Sequence, residues 1–268
     1  MMAIKVIATD MDGTFLNAQN DYNRERFARI FDTLQEKGIR FVSISGNQYY
    51  QIKSFFPDLE DKITFVSENG AYFVENAHFL KSHRLPDETV RVVLDYLTEA
   101  HLDHELVLCG EKSAYILVKS DQKTKDLFAI YYHHLKEVAS FESLPDDYFM
   151  KFSFNTPEEQ TYAIIDELNK RLGNTVTAVT SGHGNIDVIS KGVHKGSAMA
   201  YLLDKWGLSG DNLLAFGDGG NDIEMLRMAK YSYVMANGSD DVKEVAKFQA
   251  PSHNADGVLE VIEHYLTF

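Results

Sequence analysis

The chain has 268 residues, 44% of them hydrophobic and 25% charged, enough for one large α/β domain or for two domains that each bury a core. Asp and Glu total 40 against 26 Lys and Arg, and the resulting net charge of −14 excludes nucleic acid and anionic membrane surfaces as long-range partners. One cysteine, Cys109, excludes an internal disulfide, and no apolar run reaches the roughly 18 residues of a spanning helix or forms a signal peptide, so a cytoplasmic protein with no membrane partner is expected.

In chain order, strand-length apolar runs are predicted over Lys5–Thr9, Arg40–Ser43 and Thr64–Ser67, with amphipathic helices over Asn23–Lys37 and Gln48–Phe56. The pattern changes between about His83 and Ile189. A helix over Asp87–Ala100 precedes paired strands Glu105–Cys109 and Ala114–Lys119. Strand Phe149–Asn155 then leads into a helix for which Thr156-Pro157-Glu158-Glu159 offers an N-cap, a proline in the first turn and a capping-box acid. Strands Thr175–Thr180 and Asn185–Ile189 follow. Strand and helix then alternate again: His194–Trp206, Leu213–Phe216, Ile223–Ala229, Tyr231–Met235 and Gly257–Leu266.

Alternation at both ends of the chain predicts a doubly wound parallel sheet with helices on both faces, an α/β fold in which ligands bind beyond the carboxyl ends of the strands. The paired strands of the middle, with helices laid on one face, predict an inserted α+β domain. Residues 1–82 and 190–268 are therefore read as a discontinuous catalytic core, and residues 83–189 as a cap.

The segment TDMDGTFLN, residues 9–17, places two carboxylates at the mouth of the first strand. Alternate strand residues share a side, so Asp10 and Asp12 can face one site while Met11 faces away, and Gly13 lets the backbone turn. Two such carboxylates can hold a hard divalent cation, with one attacking and the other moving protons. A second acidic cluster, FGDGGNDIEML at residues 216–226, supplies Asp218, Asn221 and Asp222 at the end of another apolar strand. If the two strands are sheet neighbours, one shared metal site accounts for both clusters.

Between them, SISGN ends a strand with Ser45, whose hydroxyl forms an anion cradle with the backbone N–H groups of Gly46 and Asn47. Lys195 opens a later helix and suits a phosphate or a crowded carboxylate. A calcium loop is disfavoured: position six holds Phe15 where such loops need glycine, and a strand precedes the acids where a helix should. HExxH, a Walker loop and a GxSxG elbow are all missing from the sequence.

In order and context these segments resemble the haloacid dehalogenase superfamily. Asp10-Met11-Asp12-Gly13-Thr14 is similar to its first motif, Ser45 to the second, Lys195 to the third and Gly217-Asp218-Gly219-Gly220-Asn221-Asp222 to the fourth. The insert resembles the C2B cap of the Cof-type subgroup, and SGNQYYQIKSFFP and FVSENGA resemble bacterial sugar phosphatases. The resemblance implies an Mg²⁺-dependent phosphatase of small sugar phosphates. In it Asp10 forms an aspartyl phosphate and Asp12 is general acid and base. Asp10, Asp218 and the Asp12 backbone carbonyl hold the metal with support from Asp222, and Ser45, Gly46, Lys195 and Asn221 bind the phosphoryl group. Asn47 departs from many Cof-type members, which carry arginine there, and this leaves one fewer cation for phosphate. A phosphotransferase or mutase with the same nucleophile is the enzymatic alternative, and a non-catalytic phosphosugar- or metal-binding module is the other. The expected assembly is a monomer or weak dimer.

The core motifs leave few groups to recognise sugar hydroxyls, so the cap is expected to choose the substrate. Within it the loop TSGHGNID, residues 180–187, offers His183 and Asn185 as possible contacts.

Overall fold

A computed structural model describes residues 4–182 and 184–267. The core follows from buried strands that alternate with one-sided helices. Strand β1 (Val6–Thr9) is buried throughout. Helix α1 (Arg24–Glu36) starts where the Asn23 side chain accepts the Arg26 N–H, and it buries Phe27, Ile30, Phe31 and Leu34, the i, i+3, i+4, i+7 stripe of an amphipathic helix. Strand β2 (Arg40–Ile44), helix α2 (Tyr49–Ser54) and strand β3 (Thr64–Ser67) complete two parallel β-α-β units. Strands β4 (Tyr72–Glu75) and β5 (His78–Ser82) then turn back as an antiparallel hairpin, a feature the sequence patterning leaves unassigned because β5 is at most half-buried.

The chain next builds a second sheet. Helix α3 (Asp87–Glu99) precedes β6 (Leu106–Gly110), β7 (Ala114–Leu117), α4 (Gln122–Tyr131), β8 (Leu135–Val138), β9 (Phe149–Asn155), α5 (Glu158–Leu172), β10 (Val176–Gly182) and β11 (Asn185–Ser190). It returns to the core through α6 (Lys195–Lys205), β12 (Leu213–Gly217), α7 (Ile223–Met228), β13 (Tyr231–Met235), α8 (Asp240–Lys243), β14 (Phe248–Ala250) and α9 (Gly257–Leu266). No helix of the described residues is long and apolar enough to cross a membrane.

The core sheet runs β14-β13-β12-β1-β2-β3-β4-β5, parallel from β14 to β3 and antiparallel beyond. One face buries Phe15, Phe27, Phe41 and Phe56 together with Val258 and Ile262 of α9; the other buries Met199 and Leu202 of α6 against Met225 and Leu226 of α7. Strand β1 pairs with β2 on one side and with β12 on the other, so the strand order reverses there. A crevice opens beyond the carboxyl ends at such a switch point, which puts Asp10 at its centre.

The second sheet runs β10-β11-β9-β6-β7-β8. Helices α3 and α5 cover one face through Val93, Leu97 and Leu168 against Phe152, Phe154 and Val188. Helix α4 lies on the opposite face, where Phe128 and Tyr132 meet Val107, Cys109 and Ile116, which corrects the expectation of helices on one face only. The cause is topological: β7 and β8 are parallel, and a parallel pair needs a crossover, which α4 provides. The N-terminus of α5 also differs from expectation. Thr156 does not cap it; its hydroxyl bonds the Gly184 carbonyl at 3.0 Å instead, and Pro157 precedes the first turn without a side-chain cap.

Candidate active site

Strand β1 delivers Asp10 to the sheet edge, where its N–H donates to the Phe216 carbonyl of β12 at 3.1 Å. The chain then coils tightly, with the N–H groups of Thr14, Phe15 and Leu16 all donating to the Met11 carbonyl. This turn requires a positive φ of 73° at Gly13, and a Cβ there would run into the Asp218 carboxylate. Glycine is needed for both reasons. The Thr14 hydroxyl donates to Asp218 Oδ1 at 2.7 Å, tying the first acidic segment to the second.

Lys195, the first residue of α6, is 1% exposed, and its Nζ donates to Asp10 Oδ1 at 2.5 Å and to Asp222 Oδ1 at 2.7 Å. Asp222 Oδ2 accepts the backbone N–H groups of Asp218 and Gly219 at 3.0 and 3.1 Å. Both Asp222 oxygens are thereby engaged, and the residue fixes the lysine and the turn that carries Asp218. Carboxylate oxygens of Asp10, Asp218 and Asp222 lie within 4.8 Å of one another.

The electrostatics follow from burial and crowding. Burial raises the Asp10 carboxyl well above its usual range; Lys195 draws it down, and Asp222, Asp218 and Asp12 push it up again. Asp218 is raised by burial first and by Asp222 second. Burial works against the Lys195 ammonium, but Asp10 and Asp222 outweigh it and hold the lysine above its ordinary value. One buried cation against this many carboxylates leaves negative charge in excess. Hard oxygen donors with excess charge fit a divalent cation, with Asp10 and Asp218 the side chains best free to bind it.

Asp12 is exposed to solvent, and its Oδ2 accepts from Asn47 Nδ2 at 2.6 Å. Partial desolvation raises its pKa, while Asn47 and Lys195 oppose the rise. Ser45 and Gly46 follow β2. The Ser45 hydroxyl is buried and accepts the Asn47 N–H at 3.1 Å, and the loop is pinned from below by the Asn69 N–H donating to the Ser45 carbonyl and the Glu68 N–H to that of Asn47.

The structure thus brings Asp10, Asp12, Lys195, Asp218 and Asp222 to one sheet edge with the Ser45–Asn47 loop beside them. Asn221 turns its Nδ2 onto Asn69 Oδ1 at 3.1 Å. Asn185 lies on β11, and its Nδ2 donates to Ser153 Oγ and Asn155 Oδ1 of β9 at 3.2 and 3.3 Å. His183 lies outside the described residues.

Sequence reasoning missed Asn69 and Asn237. Asn237 Nδ2 donates to the Gly13 carbonyl at 2.7 Å and closes the turn from the far side. Asn69 falls within FVSENGA, whose resemblance attaches no role to it, and Asn237 is marked only by a polar loop after an apolar strand, the signal of a turn and no more.

Residues 7–262 match the haloacid dehalogenase-like hydrolase family. The chain is 42% identical over 265 residues to the 5-amino-6-(5-phospho-D-ribitylamino)uracil phosphatase YbjI of Escherichia coli, a match spanning 99% of this chain and 97% of that protein. YcsE of Bacillus subtilis, which bears the same phosphatase name, is 25% identical over 98% of this chain and 96% of its own. Among solved structures, SMU.1108c of Streptococcus mutans superposes with a TM-score of 0.93 at 40% identity, covering 99% of this chain and all of that one.

Proposed function

Because the chain belongs to the haloacid dehalogenase-like hydrolases and is a phosphoric monoester hydrolase of that family, we propose that it cleaves the phosphate ester of a small polyol or sugar through an aspartyl-phosphate intermediate. The observation that carries the reading is the direct pair of Lys195 and Asp10, with Asp12 held by Asn47 one turn of chain away.

Lys195 keeps one oxygen of Asp10 in place and opposes the rise in its pKa that burial causes, and the other oxygen attacks phosphorus. The bond from phosphorus to the ester oxygen breaks as Asp12 gives that oxygen its proton. Asp12, now a carboxylate facing solvent, takes a proton from a water molecule. The water's oxygen bonds to phosphorus, and the bond to Asp10 breaks to release phosphate and restore the free carboxylate. Mg²⁺ held by Asp10, Asp218 and the Asp12 backbone carbonyl would place positive charge on the phosphoryl oxygens. Ser45, Gly46 and Asn221 complete the phosphate cradle in this reading. The solvent-exposed Asp12 favours water as phosphoryl acceptor and hence hydrolysis over transfer.

Both named relatives act on a ribityl phosphate attached to an aminouracil, and a polyol chain of this kind is the substrate class we assign to this chain. Phosphate release from a panel of hexose, pentose and ribityl phosphates tests the assignment. The phosphoribitylaminouracil is expected to exceed hexose phosphates in kcat/KM by at least about tenfold, roughly 1.4 kcal/mol of transition-state binding. Chelation should remove the activity and Mg²⁺ restore it. Release from none of these esters in the presence of Mg²⁺ would remove the reading.

A further inference from the structure

Away from the reacting carboxylates, the second sheet sends a charged side chain into the first. Lys151 of β9 is 1% exposed, and its Nζ crosses the seam between the sheets to donate to the Gly46 carbonyl at 2.7 Å. It lies 2.8 Å from Glu68 Oε2 and 3.6 Å from Asp187 Oδ2. Asp187 of β11 accepts from Asn69 Nδ2 at 2.7 Å, and Asn69 in turn accepts from Asn221. Burying a lysine between two acids gains little stability over apolar packing, so the arrangement calls for a geometric reason. Asp187 Oδ1 is buried without a hydrogen-bond partner among the described residues, which adds to that cost. The seam segment itself is strained, with φ of 52° at Glu68 and 57° at Asn69.

Both arms of this cluster end on the site. The carbonyl that Lys151 holds belongs to the peptide unit whose N–H is that of Asn47, so an ammonium on the oxygen orients and polarises the N–H that the cradle's Ser45 hydroxyl accepts. The Asn47 side chain holds Asp12. On the other arm, Asn221 adjoins Asp222, which positions Lys195 and Asp218. Asn69 also packs against Gly46, where an added Cβ would lie 3.0 Å from its Oδ1.

We propose that Lys151 and Asp187 are positioning residues: through Gly46 and through Asn69–Asn221 they set the two phosphate-side loops, so the cradle is completed only when the second sheet is seated on the first. This rests on the reading of those loops given above. The cluster is packed shut, with Asp187 only 7% exposed, which assigns it to positioning rather than to contact with the organic part of a substrate.

Exchanging the two ends of one hydrogen bond tests this. Asn69→Asp sets two buried carboxylates face to face without adding backbone strain, since Asp tolerates a positive φ much as Asn does. Asn69→Asp with Asp187→Asn restores the bond in the reverse direction at unchanged net charge. The single variant is expected to lower kcat at least about tenfold, by the same factor for a ribityl phosphate and for a small aryl phosphate, and to weaken inhibition by inorganic phosphate. In the double variant kcat should return to within about threefold of wild type, the signature of a coupled pair. Hydrogen exchange over residues 44–48 and 219–223 should rise in the single variant and fall back in the double.

A lowered melting temperature with kcat, phosphate inhibition and exchange unchanged would reduce the cluster to a structural one and overturn the proposal. Losses confined to the ribityl ester would also overturn it, by placing Asp187 against the substrate. If the wild type hydrolyses no phosphate ester, the functional reading fails, and the exchange measurement still decides the positioning role.

Discussion

Asp10→Asn is expected to lower kcat by at least about a thousandfold, roughly 4 kcal/mol of barrier, while the protein melts at a higher temperature than the wild type in the presence of chelator. The amide keeps the shape of the carboxyl and loses the nucleophile. The direction of the stability change follows from the raised pKa of Asp10. A carboxyl raised on folding weakens the fold when ionised. That cost is fully present above the raised pKa and disappears below the ordinary carboxylate value, so removing the charge at neutral pH removes the cost. Activity assays paired with thermal melts check both halves. Wild-type turnover in Asp10→Asn would remove the covalent step, and a lowered melting temperature would contradict the charge excess described for the site.

Lys195→Met is expected to abolish turnover and to destabilise the fold by about 3–5 kcal/mol, the penalty for stranding a buried charge, or about 10 °C in Tm. Asp10 and Asp222 are 6% and 0% exposed and lose their shared cation. Lys195 has a raised pKa, so its contribution is present in full below the ordinary lysine value and is lost only as pH climbs through the raised one. The gap between wild type and variant should therefore persist through neutral pH and close from the acid side, where Asp10 takes up its proton. Adding Asp10→Asn to Lys195→Met removes one stranded charge and should recover part of the Tm but none of the turnover. Equal melting of Lys195→Met and wild type at neutral pH would show that the lysine is not the counter-charge.

What was legible in the sequence was local. Asp10 and Asp12 stand out because an acid-x-acid pair ends a short apolar run, and Asp218 with Asp222 because a glycine-rich acidic loop ends another. The strands that carry them were also marked by composition. Their adjacency was not: Lys195 and Asp10 are 185 residues apart, and only the pairing of β1 with β12 brings the two acidic segments together. The hairpin β4–β5 and helix α4 escaped for a different reason. Phe79 of β5 is half-exposed, and of the ten residues of α4 only Thr124 and Phe128 are buried, so neither element shows a full period of core residues. Lys151 carried no signal, and Asn69 stood only inside the family-like segment FVSENGA, with no role attached to it. A lysine within a strand and an asparagine in a turn are ordinary surface residues until long-range packing closes over them.

The measurement that bears most directly on the account is a rapid acid quench during turnover of a substrate with a labelled phosphoryl group. A covalent aspartyl phosphate on Asp10 predicts label bound to protein as an acyl phosphate, cleaved by hydroxylamine and located on the peptide that carries Asp10, and no such label in Asp10→Asn. Phosphate formed in a burst with no protein-bound label, or label on a peptide lacking Asp10, would contradict it.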